Sequence, residues 1–367
     1  DPDLAHLSST EYVAPRNEIE VQLTEIWQEL LGVDKIGIYD NFFELGGHSL
    51  LAVKMIIKMN NHDLFNSNFT IFKLFEYPTI FEYTNACFLK TNKQTLLVRL
   101  NEEGTKPPIF CAPPAGGSAI SYYDLNRMLV SDQPLYAFQQ PELDGISSPL
   151  QSIEEMASNF IIQMQRIDPK GPYILAGYSF GARIILEMAI QLRESGFQVK
   201  EILSFDGPPP TKKLIEEIKK KDNYEELFNM VEEFVKSFGK KIDIDKYTLI
   251  NKTTNEQFEY ILNLIKDSGI KESYYTSFKI SFMVWSNHFS VEKKYNSQEG
   301  IKKLDTKVKL FKGINEIIFN NQEKFDYGWN KFTKHKVEVY HFDVDHENLL
   351  KLPSVYEIAK IINKLPK

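Results

Sequence analysis

From residue 96 onward, short β-rich runs alternate with segments of helical periodicity, and this alternation restricts the fold more than any other feature of the chain. A strand followed by a helix and a further strand favours a mostly parallel sheet covered by helices. Helical periodicity is clear at 151–167, 180–195 and 353–365. The predicted strands are 96–100, 108–112, 134–138, 172–177, 199–205, 307–312 and 336–342. Residues 96–367 are therefore predicted to form an α/β domain.

The first 89 residues show helical patterns alone. Asn17 and Glu20 stand at the spacing of a capping box, just before an apolar stripe of helical period. The predicted helical segments are 17–31, 49–60, a short turn near 71–75, and 78–89. We predict a small four-helix bundle over 1–89, joined to the α/β domain by a short polar linker at 90–95.

The excess of acidic residues lies entirely in the first 90 residues, which hold 13 Asp and Glu against 6 Lys and Arg. The rest of the chain carries 37 residues of each sign. This distribution argues against binding to nucleic acid and fits a small domain that presents an acidic face to basic partners. The alternative is that the acidity only keeps a small domain soluble.

No apolar stretch approaches the length that spans a bilayer, and no signal peptide opens the sequence. Cys87 and Cys111 are too few for a disulfide framework, which suits a reducing compartment. We therefore expect a cytoplasmic protein without a membrane partner. The start at Asp1, without a methionine, suggests a piece of a longer polypeptide.

The alternation of strands and helices stops between about residues 211 and 306. This insertion consists of Lys- and Glu-rich helical stretches with apolar residues at regular intervals. A helical insertion of this kind is often a lid over an active site, and we expect one here. The alternative is a solvated decoration that only stabilises the domain.

A first chemical signal is Ser49, which follows Gly46, Gly47 and His48 at the predicted start of a helix. A carrier needs an exposed hydroxyl that a transferase can modify, and nearby glycines allow a partner to approach the backbone. A helix start also offers free N–H groups and a positive dipole end to a phosphodiester. Considered alone, Ser49 could equally be a plain helix cap.

The wider segment favours the carrier. Residues 15–88 resemble the peptidyl carrier domains of nonribosomal peptide synthetases, in the 40–50 segment (DNFFELGGHSL), the 26–27 pair (IW) and the 74–80 segment (LFEYPTI). His48 before the serine favours the peptide branch over polyketide carriers. The resemblance implies that Ser49 carries 4′-phosphopantetheine derived from coenzyme A, attached by a phosphopantetheinyl transferase.

A second chemical signal is the segment 177–181, GYSFG, directly after an apolar run. A G-x-S-x-G match alone is a weak signal, but a preceding strand and a following helix are the context of a nucleophile elbow. The tight turn holds the hydroxyl of Ser179 above the sheet. The glycines remove side chains that would collide there. Ser179 is therefore the predicted nucleophile.

A nucleophilic serine needs a base and an acid that orients the base. Of the seven histidines, His346 lies between the last predicted strand and the final helix, where the Ser…Asp…His chain order places the base. Two acids are candidates at this point. Asp206 ends the strand 199–205, and Glu316 follows the next strand, where many α/β-hydrolases have their acid.

Most of residues 96–367 resemble the thioesterases that end nonribosomal peptide synthetases, which have the α/β-hydrolase fold. In that family the acid follows the earlier strand, which implies Asp206, with Glu316 as the fallback. An oxyanion hole needs two backbone N–H donors. One should come from Phe180, the residue after the nucleophile, and the resemblance implies Ala115, in the loop 111–117, as the other. The segment 327–329 also resembles a family landmark and is interpreted as structural.

The predicted function is release of a carrier-bound peptidyl or acyl thioester through an acyl-serine intermediate, by hydrolysis or macrocyclisation. The expected partners are upstream condensation and adenylation domains, and the carrier and thioesterase domains are expected to dock on each other. No metal-binding cluster is seen in the sequence. Three alternatives stay open: a proofreading thioesterase that clears mis-acylated carriers, an ordinary esterase fused to a carrier, and a docking module without turnover.

Overall fold

The computed structural model describes most of the chain and divides it into two compact units, Asp1–Lys93 and Gln94–Lys367. The predicted linker at 90–95 lies outside the described residues. The described residues are 12–47, 49–59, 65, 69, 73–74, 77–88, 96–144, 147–220, 228, 231–232, 234–236, 238–249, 252–270, 275–296, 298–313 and 325–365.

Helix α1, Glu18–Leu31, begins in the first unit where the capping pattern predicts it. The Asn17 side chain accepts a hydrogen bond from the Glu20 N–H at 3.0 Å. The Glu20 carboxylate does not complete a capping box with Asn17, because it accepts from the backbone N–H of Arg16 at 2.8 Å and from the Arg16 guanidinium. The helix ends at Gly32, whose φ of 68° is the left-handed conformation that glycine adopts without strain.

Two further helices complete the described part of this unit: α2, Ser49–Met59, and α3, Ile80–Phe88. Trp27, Phe42 and Phe43 form its centre, each 0% exposed, with the Trp27 and Phe42 rings 4.9 Å apart. Burial of these large rings stabilises a unit this small. Of the turn predicted near 71–75, the structure describes only two helical residues. The four-helix bundle therefore remains a prediction.

The second unit is built on one mixed seven-stranded sheet in the order β1-β3-β2-β4-β5-β6-β7. Strand β1 pairs antiparallel with β3, and every other pair is parallel. The predicted alternation of strands and helices is thus confirmed. The strands are β1 Leu97–Asn101, β2 Ile109–Ala112, β3 Leu135–Phe138, β4 Tyr173–Tyr178, β5 Val199–Phe205, β6 Lys307–Gly313 and β7 Glu338–Phe342.

Helices cover both faces of the sheet, as buried strands require. On one face Phe160 and Ile184 belong to a large apolar core, and on the other Leu125 and Ile358 belong to a second core. The helices are α4 Tyr123–Met128, α5 Ile153–Ile167, α6 Gly181–Glu194, α7 Lys212–Lys220, α8 Thr254–Asp267, α9 Tyr275–Lys294 and α10 Ser354–Ile362. Among the described residues, no helix has the length and apolarity needed to cross a membrane.

The insertion between β5 and β6 contains α7, α8 and α9, so the predicted helical content is present. Several residues within 221–274 lie outside the described part of the chain. A lid over the whole of 211–306 remains a prediction.

Two neighbouring glycines before α2 should respond differently to substitution. A Cβ on Gly47 would lie 2.4 Å from the carbonyl oxygen of Phe42, whereas a Cβ on Gly46 meets nothing within 4 Å but has φ of 94°. We expect Gly46→Ala to lower the free energy of unfolding by about 1–2 kcal/mol through backbone strain. Gly47→Ala should lower it more, because its Cβ would have to displace the buried ring of Phe42. Hydrogen exchange of the α1–α3 amides measures both losses. Equal protection in the two variants would contradict the close approach at Gly47.

Candidate functional site

Ser179 lies on a tight turn between β4 and α6. Its φ is 54°, a left-handed conformation that non-glycine residues rarely adopt. The flanking glycines are needed for close packing: a Cβ on Gly177 would lie 2.6 Å from Gly181 carbon, and a Cβ on Gly181 would lie 2.5 Å from the Ala112 oxygen. The segment therefore has the strained strand-to-helix geometry of a nucleophile elbow.

Asp206 directly follows β5, also with a positive φ of 45°. One carboxylate oxygen accepts from Nδ1 of His346 at 2.7 Å. The other accepts from the hydroxyl of Tyr327 at 2.8 Å and from the N–H of Gly313 at 3.3 Å. Burial raises the pKa of Asp206, but the hydrogen bonds and charge of His346, with the bonds from Tyr327 and Gly313, outweigh burial and hold that pKa below its usual range.

His346 begins a short 3₁₀ turn after β7 and is held on two sides. Its Nδ1–H donates to Asp206, and in the tautomer with its proton on Nδ1 the other ring nitrogen, Nε2, is an acceptor. The hydroxyl of Tyr178, the residue before Ser179, donates to the His346 carbonyl at 2.6 Å, and the two rings lie 5.1 Å apart. Tyr178 therefore connects the elbow to the histidine loop.

The structure brings Asp206 and His346 into direct contact and places Ser179 beside them. Gly207, which follows Asp206, approaches the elbow so closely that a Cβ there would lie 2.7 Å from the Ser179 carbonyl oxygen. In the part of the chain that is described, the Ser179 hydroxyl makes no hydrogen bond to His346. Such bonds often form only when substrate is bound. Glu316, the fallback acid, lies outside the described residues.

The loop after β2 approaches the elbow with one unused N–H group. Gly117 N–H donates within the loop at 3.0 Å, and Gly116 N–H donates to Nδ1 of His288 at 3.2 Å. The N–H groups of Ala115 and Phe180 have no hydrogen-bond acceptor among the described residues. Two donors next to a nucleophile that lack internal partners are suited to stabilising an oxyanion.

In the first unit, Ser49 is the first residue of α2. Gly46, three residues earlier, has φ of 94°, and Gly47 packs against buried Phe42. A serine at a helix start, where the first backbone N–H groups have no acceptor within the helix, fits the attachment of a phosphodiester. His48 lies outside the described residues. Among the described residues there is no group of three or more His, Cys, Asp or Glu that could hold a metal ion.

Sequence reasoning missed three side chains at this site. Tyr327 was interpreted as structural, yet its hydroxyl binds the Asp206 carboxylate across 121 positions of the chain. Tyr178 occupies a variable position of the G-x-S-x-G pattern, and His288 lies in the insertion. Local patterns carry no signal for such distant contacts. A buried carboxylate such as Asp206 needs hydrogen-bond donors nearby, but the sequence does not show which residues supply them.

Removal of the Tyr327 hydroxyl should weaken the charged form of Asp206. A hydrogen bond to a charged group contributes about 1.5–3 kcal/mol, so Tyr327→Phe should lower the free energy of unfolding by about that amount at pH 7. The lowered pKa of Asp206 contributes stability above its unfolded pKa of about 3.9, and this contribution is lost as pH falls through the folded pKa. The deficit of the variant should therefore shrink below about pH 4.

Urea unfolding of wild type and Tyr327→Phe at a series of pH values measures this difference. Tyr340→Phe, which removes an exposed hydroxyl bond to Glu338 at 2.7 Å, is the matched control and should change little. A deficit that is the same at pH 7 and at pH 3 would show that Tyr327 acts through packing instead of through the Asp206 charge.

Two families match this chain in sequence. Residues 107–365 match the family described as Thioesterase domain, and residues 21–86 match the family described as Phosphopantetheine attachment site. Malpinin synthetase of Mortierella alpina is 33% identical over 263 residues, which are 70% of this chain and 3% of that protein. Tyrocidine synthase 3 of Brevibacillus parabrevis is 32% identical over 267 residues, 69% of this chain and 4% of that protein. The chain thus spans only a few per cent of the length of these relatives.

Two solved structures are similar to this chain. A four-domain nonribosomal peptide synthetase, holo-AB3403 bound to AMP and glycine, is similar over 98% of this chain and 27% of its own, with a TM-score of 0.63 and 27% identity. The Vlm2 thioesterase domain bound with a dodecadepsipeptide covers 74% of this chain and 100% of its own, with a TM-score of 0.53 and 22% identity. This second likeness shows the fold, which is of the α/β-hydrolase type. The chain belongs to the thioesterase-domain family, and in it a phosphopantetheine attachment domain precedes the thioesterase domain.

Proposed function

We propose that this chain is the release end of a nonribosomal peptide synthetase, in which Ser179 accepts a peptidyl or acyl group from the carrier and passes it to water or to a nucleophile of the group itself. The observation that carries the proposal is the 2.7 Å hydrogen bond between His346 and Asp206, beside the strained turn at Ser179. Malpinin synthetase and tyrocidine synthase 3 support the proposal that this chain is one part of a larger synthetase, because the chain matches a segment that is only a few per cent of the length of each.

In this proposal His346 is the general base. Its Nε2 takes the proton of the Ser179 hydroxyl as the oxygen attacks the thioester carbonyl, and later gives a proton to the leaving thiol. Asp206 holds the ring through Nδ1 and stabilises the imidazolium that forms. The 2.8 Å bond from Tyr327 keeps that carboxylate ionised and oriented.

The backbone N–H groups of Ala115 and Phe180 are the proposed oxyanion donors. Pro113 and Pro114 have no N–H group. The N–H groups of Gly116 and Gly117 already donate hydrogen bonds within the protein. Ala115 is therefore the loop residue whose N–H is free to bind the developing charge. One such donor contributes about 10²–10³ in kcat.

Ser49 is the residue proposed to hold 4′-phosphopantetheine. When bound, this group supplies the thiol on which the acyl substrate is carried as a thioester. The start of α2 would stabilise the negative phosphodiester through its free N–H groups. A phosphopantetheinyl transferase and the upstream condensation and adenylation domains are the proposed partners.

Water as the second nucleophile gives a free acid, whereas an amine or hydroxyl of the substrate gives a ring. Both outcomes use the same residues, because His346 can deprotonate either nucleophile in the second half of the reaction. Vlm2 was solved with a dodecadepsipeptide, and we propose a substrate of the peptidyl class for this chain as well.

Intact-mass measurement of the full chain tests both halves of this proposal. The protein is incubated with a broad-specificity phosphopantetheinyl transferase and a panel of acyl- and peptidyl-coenzyme A donors. Wild type should gain the mass of the acylated arm and then lose only the acyl group. Ser49→Ala should gain nothing, and Ser179→Ala should gain the acylated arm and keep it.

Two further variants make the assignment specific. His346→Ala and Asp206→Asn should slow acyl loss by about 10³-fold or more, because each disables the proposed base. Exposed His335 lies near Asp305 at the surface, so His335→Ala is the matched control and should release at the wild-type rate. No added mass on wild type would refute the carrier, and acyl loss that persists in Ser179→Ala would refute the acyl-serine route.

A further inference from the structure

His288 is buried on α9 of the insertion, with 1% of its surface exposed, and it contacts both segments that carry the proposed oxyanion donors. Its Nδ1 accepts from the Gly116 N–H at 3.2 Å. Its ring stacks on that of Phe180, with centroids 4.7 Å apart and planes 17° from parallel. One side chain from the insertion therefore touches the loop after β2 and the residue after the nucleophile.

We propose that His288 is a positioning residue, which holds the loop 112–117 and Phe180 in the arrangement that aims the N–H groups of Ala115 and Phe180 at the same oxyanion. This inference rests on the proposed function, because an oxyanion forms only if Ser179 attacks an acyl group. His288 does not touch the reacting atoms in this role. It acts through Gly116 and Phe180.

The protonation state of His288 fits the role. A ring that accepts a hydrogen bond at Nδ1 must carry its proton on Nε2 alone. Burial lowers the pKa of His288 to about 3, so the ring stays neutral and Nδ1 stays an acceptor at working pH. Nε2 has no hydrogen-bond partner among the described residues. An unpaired buried N–H is unfavourable, so stability alone does not explain a histidine at this position.

The helix that carries His288 is fixed to the catalytic unit. Glu292 pairs with Arg183 of α6 at 2.9 Å, and both side chains are nearly buried. Arg183 also donates to the Ser179 carbonyl at 3.1 Å. The hydroxyl of Tyr295, the residue just after α9, donates to Glu187 of α6 at 2.6 Å. These buried contacts hold the end of α9 against α6, the helix that follows Ser179.

A second residue of α9 limits the loop from the same side. A Cβ on Gly116 would lie 3.2 Å from Nε1 of Trp285, and Gly116 has φ of 89°, so the loop passes close beneath the helix. The hydrogen bond to His288 and the packing of Trp285 thus set the position of the loop just after Ala115.

The test separates the two contacts of His288 by substitution. His288→Phe keeps a ring against Phe180 but removes the acceptor for Gly116. His288→Asn keeps an acceptor near the position of Nδ1. Val291→Ala, on the same helix and 1% exposed, removes buried volume but leaves both contacts of His288 in place, so it is the matched stability control.

Release of a short acyl thioester is followed in steady state for the full chain, together with amide exchange at Gly116. We expect His288→Phe to lower kcat by about 10–100-fold with little change in KM, because a misaimed donor weakens binding of the transition state only. His288→Asn should recover most of kcat, and Val291→Ala should keep the wild-type kcat. Exchange at Gly116 should accelerate at least about tenfold in His288→Phe.

An unchanged kcat in His288→Phe overturns the proposal, as does an equal loss in Val291→Ala, which would mean a general loss of packing. A wild type without Ser179-dependent release would refute the proposed function, and with it the catalytic purpose of the loop position, but would not test the contact between His288 and the loop. In that case the amide exchange decides: Gly116 exchange that is the same in wild type and His288→Phe shows that His288 does not hold the loop.

Discussion

The hydrogen bond between His346 and Asp206 joins residues 140 positions apart in the chain. The strand order of the second unit brings these two residues together. Asp206 follows β5 and His346 follows β7, with β6 between them in the sheet. Ser179 follows β4, the neighbour of β5 on the other side. Because parallel strands end at one edge of a sheet, all three residues emerge on the same edge. The proposed chemistry therefore depends on strand order before it depends on any side chain.

A buried carboxylate at that edge is unfavourable unless it is well solvated by the protein. Asp206 is 8% exposed, and three donors from different segments take the place of water. Trp329 adds a bond from its indole N–H to the Gly207 carbonyl at 3.0 Å. The segment around residues 327–329 thus clamps both the side chain and the backbone at the end of β5. Its structural interpretation from the sequence is incomplete, because Tyr327, together with His346, also lowers the pKa of Asp206.

The strands and the elbow could be predicted because their signals are local. Apolar runs mark buried strands wherever they occur, and β5 was predicted as 199–205, the bounds that the structure has. The glycines around Ser179 report a close approach that only the backbone turn requires. His288 carries no such signal. In the sequence it is only a polar residue on a predicted helix of the insertion. Its proposed role depends on its hydrogen bond with Gly116, which is 172 positions earlier in the chain. Contacts between side chains that are distant in the sequence produce no periodic pattern from which they could be predicted.

The loop 112–117 has few internal bonds to fix the N–H group of Ala115, and a contact from the insertion, through His288, holds the next residue. The insertion therefore has a part in the proposed catalysis. Two of the loop's residues are prolines and two are glycines with positive φ, so its backbone has few internal bonds. Tyr122, bonded to the Ala112 carbonyl, and Gln140, whose N–H donates to the Gly117 carbonyl at 2.9 Å, hold its two ends. Its middle is held by His288. Because His288 lies on α9, a change in the packing of this helix would also move the loop that carries one of the proposed oxyanion donors. The packing of the insertion and the proposed stabilisation of the oxyanion are therefore coupled through one helix.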